Sequence, residues 1–185
     1  MHDSLDANGR AKIESAPHIA GPTNLNLVDI LEIAVTHPIR RLNDCYSLLR
    51  QQCEDQQLPH LHDLLEAVDD GLMEYCLILL PVPGIPFVDF QVLHRGRTIP
   101  GSDMASFKFG ERYTDHILPV FANDRILELT ACLSLKTCRF SRALSARRSS
   151  LSVVVLRGVL PVWLPEYQLH AVVLAVAPEI GFANL

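Results

Sequence analysis

The sequence has no CxxC pair, no glycine-rich phosphate loop, no nucleophile elbow and no paired-carboxylate motif. It therefore carries no local signature of nucleotide binding or covalent catalysis. No apolar run reaches the ~20 residues that a membrane-spanning helix needs, because prolines and charges interrupt each one. Met1–Asn8 lacks a basic start and an apolar core, so no secretory signal peptide is expected. The five cysteines, Cys45, Cys53, Cys76, Cys132 and Cys138, are odd in number and most sit inside apolar patterns. They read as reduced core residues of a cytoplasmic protein. A net charge of −5 leaves no nucleic-acid footprint on the chain as a whole.

What is present is apolar patterning. Of 185 residues, 49% are hydrophobic and 20% charged, which suits one globular domain with extensions. Charge is uneven. From Arg125 onward, Arg125, Lys136, Arg139, Arg142, Arg147, Arg148 and Arg157 outnumber the acids. Such a flank either meets an acidic partner or consists of ordinary solvated strand edges.

Residues 1–22 are polar and interrupted by Gly and Pro, and read as a flexible tail. A helical N-terminal extension is expected over 23–70. Its first helix would be capped at Thr23 or Asn24 and run to Val35. A second starts at Pro38, where Ile39, Leu42, Tyr46, Leu49 and Cys53 recur at spacings of three and four and share one face. Ile39, Leu42, Tyr46 and Leu49 are candidate dimer-interface residues; the alternative is a helix packed on its own domain. A third short helix is expected over His60–Val68.

Strand-like runs follow at Met73–Leu80 and Pro86–His94, then a helical middle, then Cys138–Ala146, Leu151–Leu160 and Tyr167–Ala177. Within the middle, Glu111–Phe121 and Asp124–Leu135 read as helical, with Asp124 as an N-cap. Ala146–Ser150 reads as a turn, and Pro161 and Pro165 bracket Trp163 in a connection. The last run is apolar on both faces, which predicts a central strand. A domain over 71–178 and a tail over 179–185 complete the expected organisation.

Two strands, a helical middle and three strands is the order of a PAS-type sensor domain. The segment Leu80-Pro81, Asp89-Phe90-Gln91-Val92, Arg95-Gly96-Arg97-Thr98-Ile99 and Gly101-Ser102-Asp103 resembles a PAS-like family of alphaproteobacteria. Leu42-Asn43-Asp44-Cys45-Tyr46 and Leu58-Pro59 resemble that family's helical lead-in. Tyr46 stands where the family's aromatic pair usually ends in Trp, and His94-Arg95 where its strand is usually apolar. The resemblance covers about residues 38–177. It implies an α+β fold: a PAS-like five-stranded antiparallel sheet with helices on one face, behind an N-terminal helical extension. It also implies a small cavity between sheet and helices. Phe90, Val92, Tyr113, Leu129, Leu133, Phe140, Val154 and Trp163 are its candidate wall, unless they simply fill the core.

The remaining chemistry is sparse. His60-Leu61-His62-Asp63 is the most metal-like cluster, but it heads a helix, where positions i and i+2 diverge by ~200°. Thr137-Cys138-Arg139-Phe140 echoes the core of flavin-binding light sensors without their flanking Asn and Gln. His116 lies where some PAS sensors place a haem ligand. Thr36-His37-Pro38-Ile39-Arg40 lacks the acid that a kinase phospho-acceptor box requires. No catalytic residue, metal site or required cofactor is assigned. The expectation is a non-enzymatic sensory or protein-interaction module of bacterial signalling. It would act through homodimerisation or docking to a signalling partner, with a possible small apolar ligand and no nucleic acid or membrane. The alternatives are a haem- or flavin-binding sensor and a small α+β enzyme in which His94, Asp89 and Tyr113 meet in one cleft.

Overall fold

The computed structural model describes residues 26–55, 57–83, 88–97, 108–117, 119–145 and 153–179. The 1–22 tail, the Ala146–Ser150 turn and Gly101-Ser102-Asp103 lie outside the described residues.

The expected helix ending at Val35 is absent. Asn26–Leu27 instead form a short strand, β1, paired with Arg142 and Ser141. A single 3-10 turn, Ile30–Glu32, follows and is capped by Asp29, whose carboxylate accepts the Leu31 N–H at 2.9 Å. Aspartate favours such local side-chain-to-backbone bonds over helix continuation. Helix α1 (Pro38–Gln52) starts as the sequence predicts, with Pro38 in its first turn. His37 caps it: Nδ1 accepts the Ile39 N–H at 3.2 Å, and Nε2 donates to the Pro178 carbonyl at 2.8 Å. One imidazole thus ties the start of α1 to the end of the last strand. Helices α2 (Leu61–Ala67) and α3 (Asp70–Met73) follow, α3 capped by the Asp69 carboxylate on Leu72 N–H.

Strands β2 (Cys76–Pro83) and β3 (Val88–Arg95) form an antiparallel pair with a bulge between Ile78 and Leu79. The helical middle is a 3-10 turn, Tyr113–His116, and helix α4 (Pro119–Leu135). Asp124 is thus inside α4 rather than at its cap, because the helix begins at Pro119, a residue suited to a first turn. Strands β4 (Arg139–Ser145), β5 (Val153–Leu164) and β6 (Leu169–Pro178) complete the sheet. β5 runs through Pro161 instead of stopping before it. Pro161 lies opposite Val172 on β6, and its carbonyl accepts the Tyr46 hydroxyl at 2.7 Å.

The fold is α+β. Its five long strands make a PAS-like antiparallel sheet, and β1 extends one edge, giving the order β1-β4-β5-β6-β2-β3. β6 sits between β5 and β2, the central place its two apolar faces predict. Alternation along the strands separates two cores. Ala171, Val173, Ala175, Ile78, Leu156 and Leu160 face α1–α3. Val172, Leu174, Val176, Leu77, Leu79, Val155 and Val159 face α4 and the Tyr113 turn. The helical middle therefore covers one face, and the N-terminal extension covers the other.

That arrangement corrects the dimer seam. Ile39 and Leu42 are each 1% exposed and Tyr46 3%, all packed against the chain's own sheet, with Leu49 at the margin of the same core. Burial pushes the Tyr46 hydroxyl far above its ordinary pKa, so it stays protonated and donates to the Pro161 carbonyl. At Gly158 of β5, an added Cβ would meet Ile39 Cγ2 at 3.2 Å, so a bare backbone brings the sheet close to α1.

Gly96 is more tightly constrained. It donates to the Cys76 carbonyl at 2.7 Å, and a Cβ there would lie 2.2 Å from the Glu74 carbonyl oxygen and 2.4 Å from that of Met73. Both obstacles are backbone and cannot rotate away. Gly96→Ala is expected to destabilise the fold by about 3 kcal/mol, the upper end of overpacking costs. Urea denaturation checks this; a change below about 1 kcal/mol would mean that the β3 exit is not held against α3.

Candidate functional site

Two apolar segments each carry one charge that their pattern does not explain. Arg157 interrupts the valine-rich β5, and Glu128 interrupts the apolar second half of α4. Strand alternation puts Arg157 on the face of Val155 and Val159, beneath α4. Glu128 lies on the side of α4 that turns toward the sheet. Both are almost fully enclosed, at 4% and 1% exposure.

They meet in a network. Arg157 Nη1 donates to Glu128 Oε2 at 2.5 Å, and Ser141 Oγ donates to Oε1 at 3.1 Å. Ser141 stands opposite Arg157 in the β4–β5 register, so the sheet itself sets these two donors side by side. Arg125, one helical turn before Glu128, reaches the same Oε2 at 3.5 Å through Nη1. Tyr113, buried on the same face, adds its ring and hydroxyl beside Arg157. Two guanidinium charges thus share one carboxylate. The electrostatics reflect this imbalance. Burial opposes the Arg157 charge, but the adjacent Glu128 carboxylate outweighs it and holds the guanidinium pKa above its ordinary value. Arg125 is pulled below its ordinary value, first by burial and then by repulsion from Arg157.

Hydrogen bonding is incomplete. Among the described residues, Arg50 Nη1, Arg95 Nε, Arg125 Nη1 and Arg157 Nη2 are enclosed without a hydrogen-bond acceptor; the last two fall together in this network, and Arg125 Nη1 keeps its looser ion pair with Glu128. Buried polar groups of native proteins are overwhelmingly bonded, so such nitrogens mark a site needing a physical account. Chemically, the arrangement suits anion recognition. Guanidinium groups do not deprotonate in proteins, and a fork of N–H donors matches carboxylate or phosphate oxygens.

Of the eight candidate cavity residues, Phe90, Val92, Tyr113 and Leu129 come together in the α4-side core, each at most 2% exposed, and Leu133 packs against them. The other three do not join them. Phe140 packs on the α1 side, because its position in β4 points to the opposite face. Val154 is half-buried and alternates onto the face of Leu156. Trp163 lies near the far end of the β5–β6 hairpin, its ring 4.9 Å from that of His170. Burial, and then the nearby Lys136 charge, lower the His170 pKa.

The histidine-rich helix start does not converge. His60 Nδ1 is 3.9 Å from Asp63, while His62 Nε2 is 3.2 Å from Glu66, so each imidazole faces its own carboxylate. His116 lies in the 3-10 turn, and its side chain is outside the described set. Cys138 precedes β4 next to Tyr46, and burial pushes its thiol up to about 12. His94, Asp89 and Tyr113 do not meet in one cleft. Asp89 is engaged by Thr114 Oγ1 at 2.6 Å and by the Phe90 N–H at 2.7 Å, while His94 is exposed further along β3.

No family model, curated protein or solved structure matches the chain. Among the described residues, no helix is long and apolar enough to cross a membrane.

Composition places Arg125 and Arg157 in a basic flank that suits either an acidic partner or solvated strand edges, and neither reading pairs them with Glu128. The signal was available in local form. A lone cation within Val153–Leu160 and a lone acid within Ile126–Leu135 each break an apolar pattern, and each calls for a partner of opposite charge.

Proposed function

We propose that the chain is a PAS-like sensory module of bacterial signalling rather than an enzyme, and that α4 is its moving element. The observation that carries this reading is the Arg157–Glu128–Arg125 network. It is an under-bonded charged cluster between one helix and a sheet that is otherwise apolar on that face. Such a network makes the seat of α4 sensitive to anything that changes its charge balance. The rest of the sheet is bracketed by the α1–α3 core and keeps its geometry. A signal becomes a shift of α4, read by a protein partner. Unpaired cysteines, with the buried Cys76 thiol pushed up to about 12, fit a reducing cytoplasmic setting.

The reading requires α4 to open separately from the sheet. Native-state hydrogen exchange tests this. Amides of Ile126–Leu135 are expected to open at least tenfold more readily than those of Val172–Val176 in β6, a gap of ~1.4 kcal/mol or more. Equal protection in the two segments would mean that α4 opens only with global unfolding, and the sensory reading would fail.

A further inference from the structure

The α4–sheet network holds two cationic groups, one anion and two enclosed guanidinium nitrogens without acceptors among the described residues. Both guanidinium groups approach the same carboxylate oxygen, at 2.5 and 3.5 Å. Their Nη1 atoms are therefore no more than about 6 Å apart, and Arg157 Nη2 belongs to the same guanidinium fork, so a small oxyanion lying against the two forks meets donors from both. Arg157 is fixed within the core, at 4% exposure, and Ser141 stands next to it in register. The Arg125 side chain is 19% exposed and offers the path to solvent.

We infer that Arg125 and Arg157 form a binding site for a small oxyanion, a carboxylate or a phosphate, which supplies a negative charge beside that of Glu128. The anion accepts from Arg157 Nη2 and Arg125 Nη1, while Glu128 keeps its bond to Arg157 Nη1. Because both nitrogens are enclosed between α4 and the sheet, entry requires α4 to lift along the Arg125 side. Binding then reseats α4 with its donors filled. This deepens the sensory reading by naming a ligand class, and it differs from the apolar ligand that patterning of the core suggests. Its test is separate from the exchange experiment. Anion binding with a rigid α4 leaves the site standing and removes the sensor, and a mobile α4 without anion binding does the reverse.

Isothermal titration calorimetry on the full chain, in a buffer of weakly binding ions, compares succinate with inorganic phosphate. Saturable one-to-one binding of at least one is expected, and the preferred anion distinguishes a carboxylate site from a phosphate site. Arg125→Gln keeps the buried Arg157–Glu128 pair and should fold. It is expected to weaken binding roughly ten- to hundredfold, the loss of one charge-assisted contact. Glu128→Gln leaves both guanidinium charges without a carboxylate and frees Arg125 Nη1 from its ion pair, and its melting temperature is expected to rise with anion concentration more steeply than that of the parent. A purely structural network predicts no such rescue. Multivalent anions also stabilise proteins by exclusion from their surface, so thermal shifts of equal size in the parent and Arg125→Gln would overturn the proposal. So would the absence of saturable heat for both anions in the parent protein. If Glu128→Gln fails to fold at every anion concentration, the comparison of the parent with Arg125→Gln decides.

Discussion

Replacing Glu128 by alanine is expected to destabilise the protein by about 3–5 kcal/mol, the usual cost of stranding a buried partner charge. The reason is in the accounting of the site. Arg157 is 4% exposed, and the Glu128 carboxylate is the main group that supports its charge, ahead of the Tyr113 hydroxyl. Arg125 depends on the same oxygen. Without that carboxylate, two guanidinium groups remain against one another beneath α4, and the Ser141 hydroxyl loses its acceptor. A domain of this size has a total stability of about 5–15 kcal/mol, so the variant should sit near its folding threshold. The double variant Glu128→Leu with Arg157→Met should recover most of the loss, because an apolar pair of similar volume avoids desolvating two charges. Urea denaturation of the parent, single and double variants checks both statements. A single-variant cost below about 1 kcal/mol, or a double variant worse than the single, would show that the network does not hold α4.

Leu42→Glu is expected to unfold the protein rather than yield a folded monomer. The spacing of the α1 stripe suits a dimer seam as well as an internal packing face; the fold uses it internally. Leu42 is 1% exposed between α1 and the sheet, in the cluster that includes Ile39, Leu160 and Val173. Truncating such a leucine costs ~2–5 kcal/mol, and placing a carboxylate there adds the penalty of a buried unpaired charge. The sum exceeds about 5 kcal/mol. Leu48, 61% exposed on the same helix, is the control, and Leu48→Glu should change stability by no more than about 0.5 kcal/mol. Circular dichroism with light scattering distinguishes the outcomes. A Leu42→Glu protein that stays folded and halves its mass would return the seam to the role of a dimer contact.

These two cases also show how far patterning reached. The five long strands fall close to their predicted runs, because period-two alternation and unbroken apolar stretches are local signals. The central place of β6 was legible for the same reason, since only a strand covered on both faces is apolar on both. β5 outlasted its predicted end because a proline costs a strand only its N–H, and at Pro161 the carbonyl found an α1 partner that no local pattern reveals. The segment before α1 has helical spacing in its stripe of Val28, Leu31 and Val35, yet it forms a short strand and a 3-10 turn. Pairing of Asn26 and Leu27 with β4, more than a hundred residues away, competed with that spacing. Five of the cavity candidates share one core, while Phe140 and Val154 belong to the opposite face and Trp163 to the far end of a hairpin. Face and register depend on the assembled sheet, and so does the pairing of two single charges from α4 and β5.

The place of β6 between β5 and β2 also sets the order in which the molecule can assemble. β2 pairs with Val172–Ala175 of β6 only across the intervening chain, with Leu77 opposite Leu174. A chain emerging from the ribosome can form the β2–β3 hairpin and the β4–β5 hairpin early, since their partners are close in sequence. It cannot join these halves until β6 has appeared. Until that moment the apolar stripe of α1 and the inner faces of both hairpins have no common surface to cover. The contacts that complete the sheet are therefore of long sequence separation, which slows folding and leaves nascent apolar edges open to misassociation.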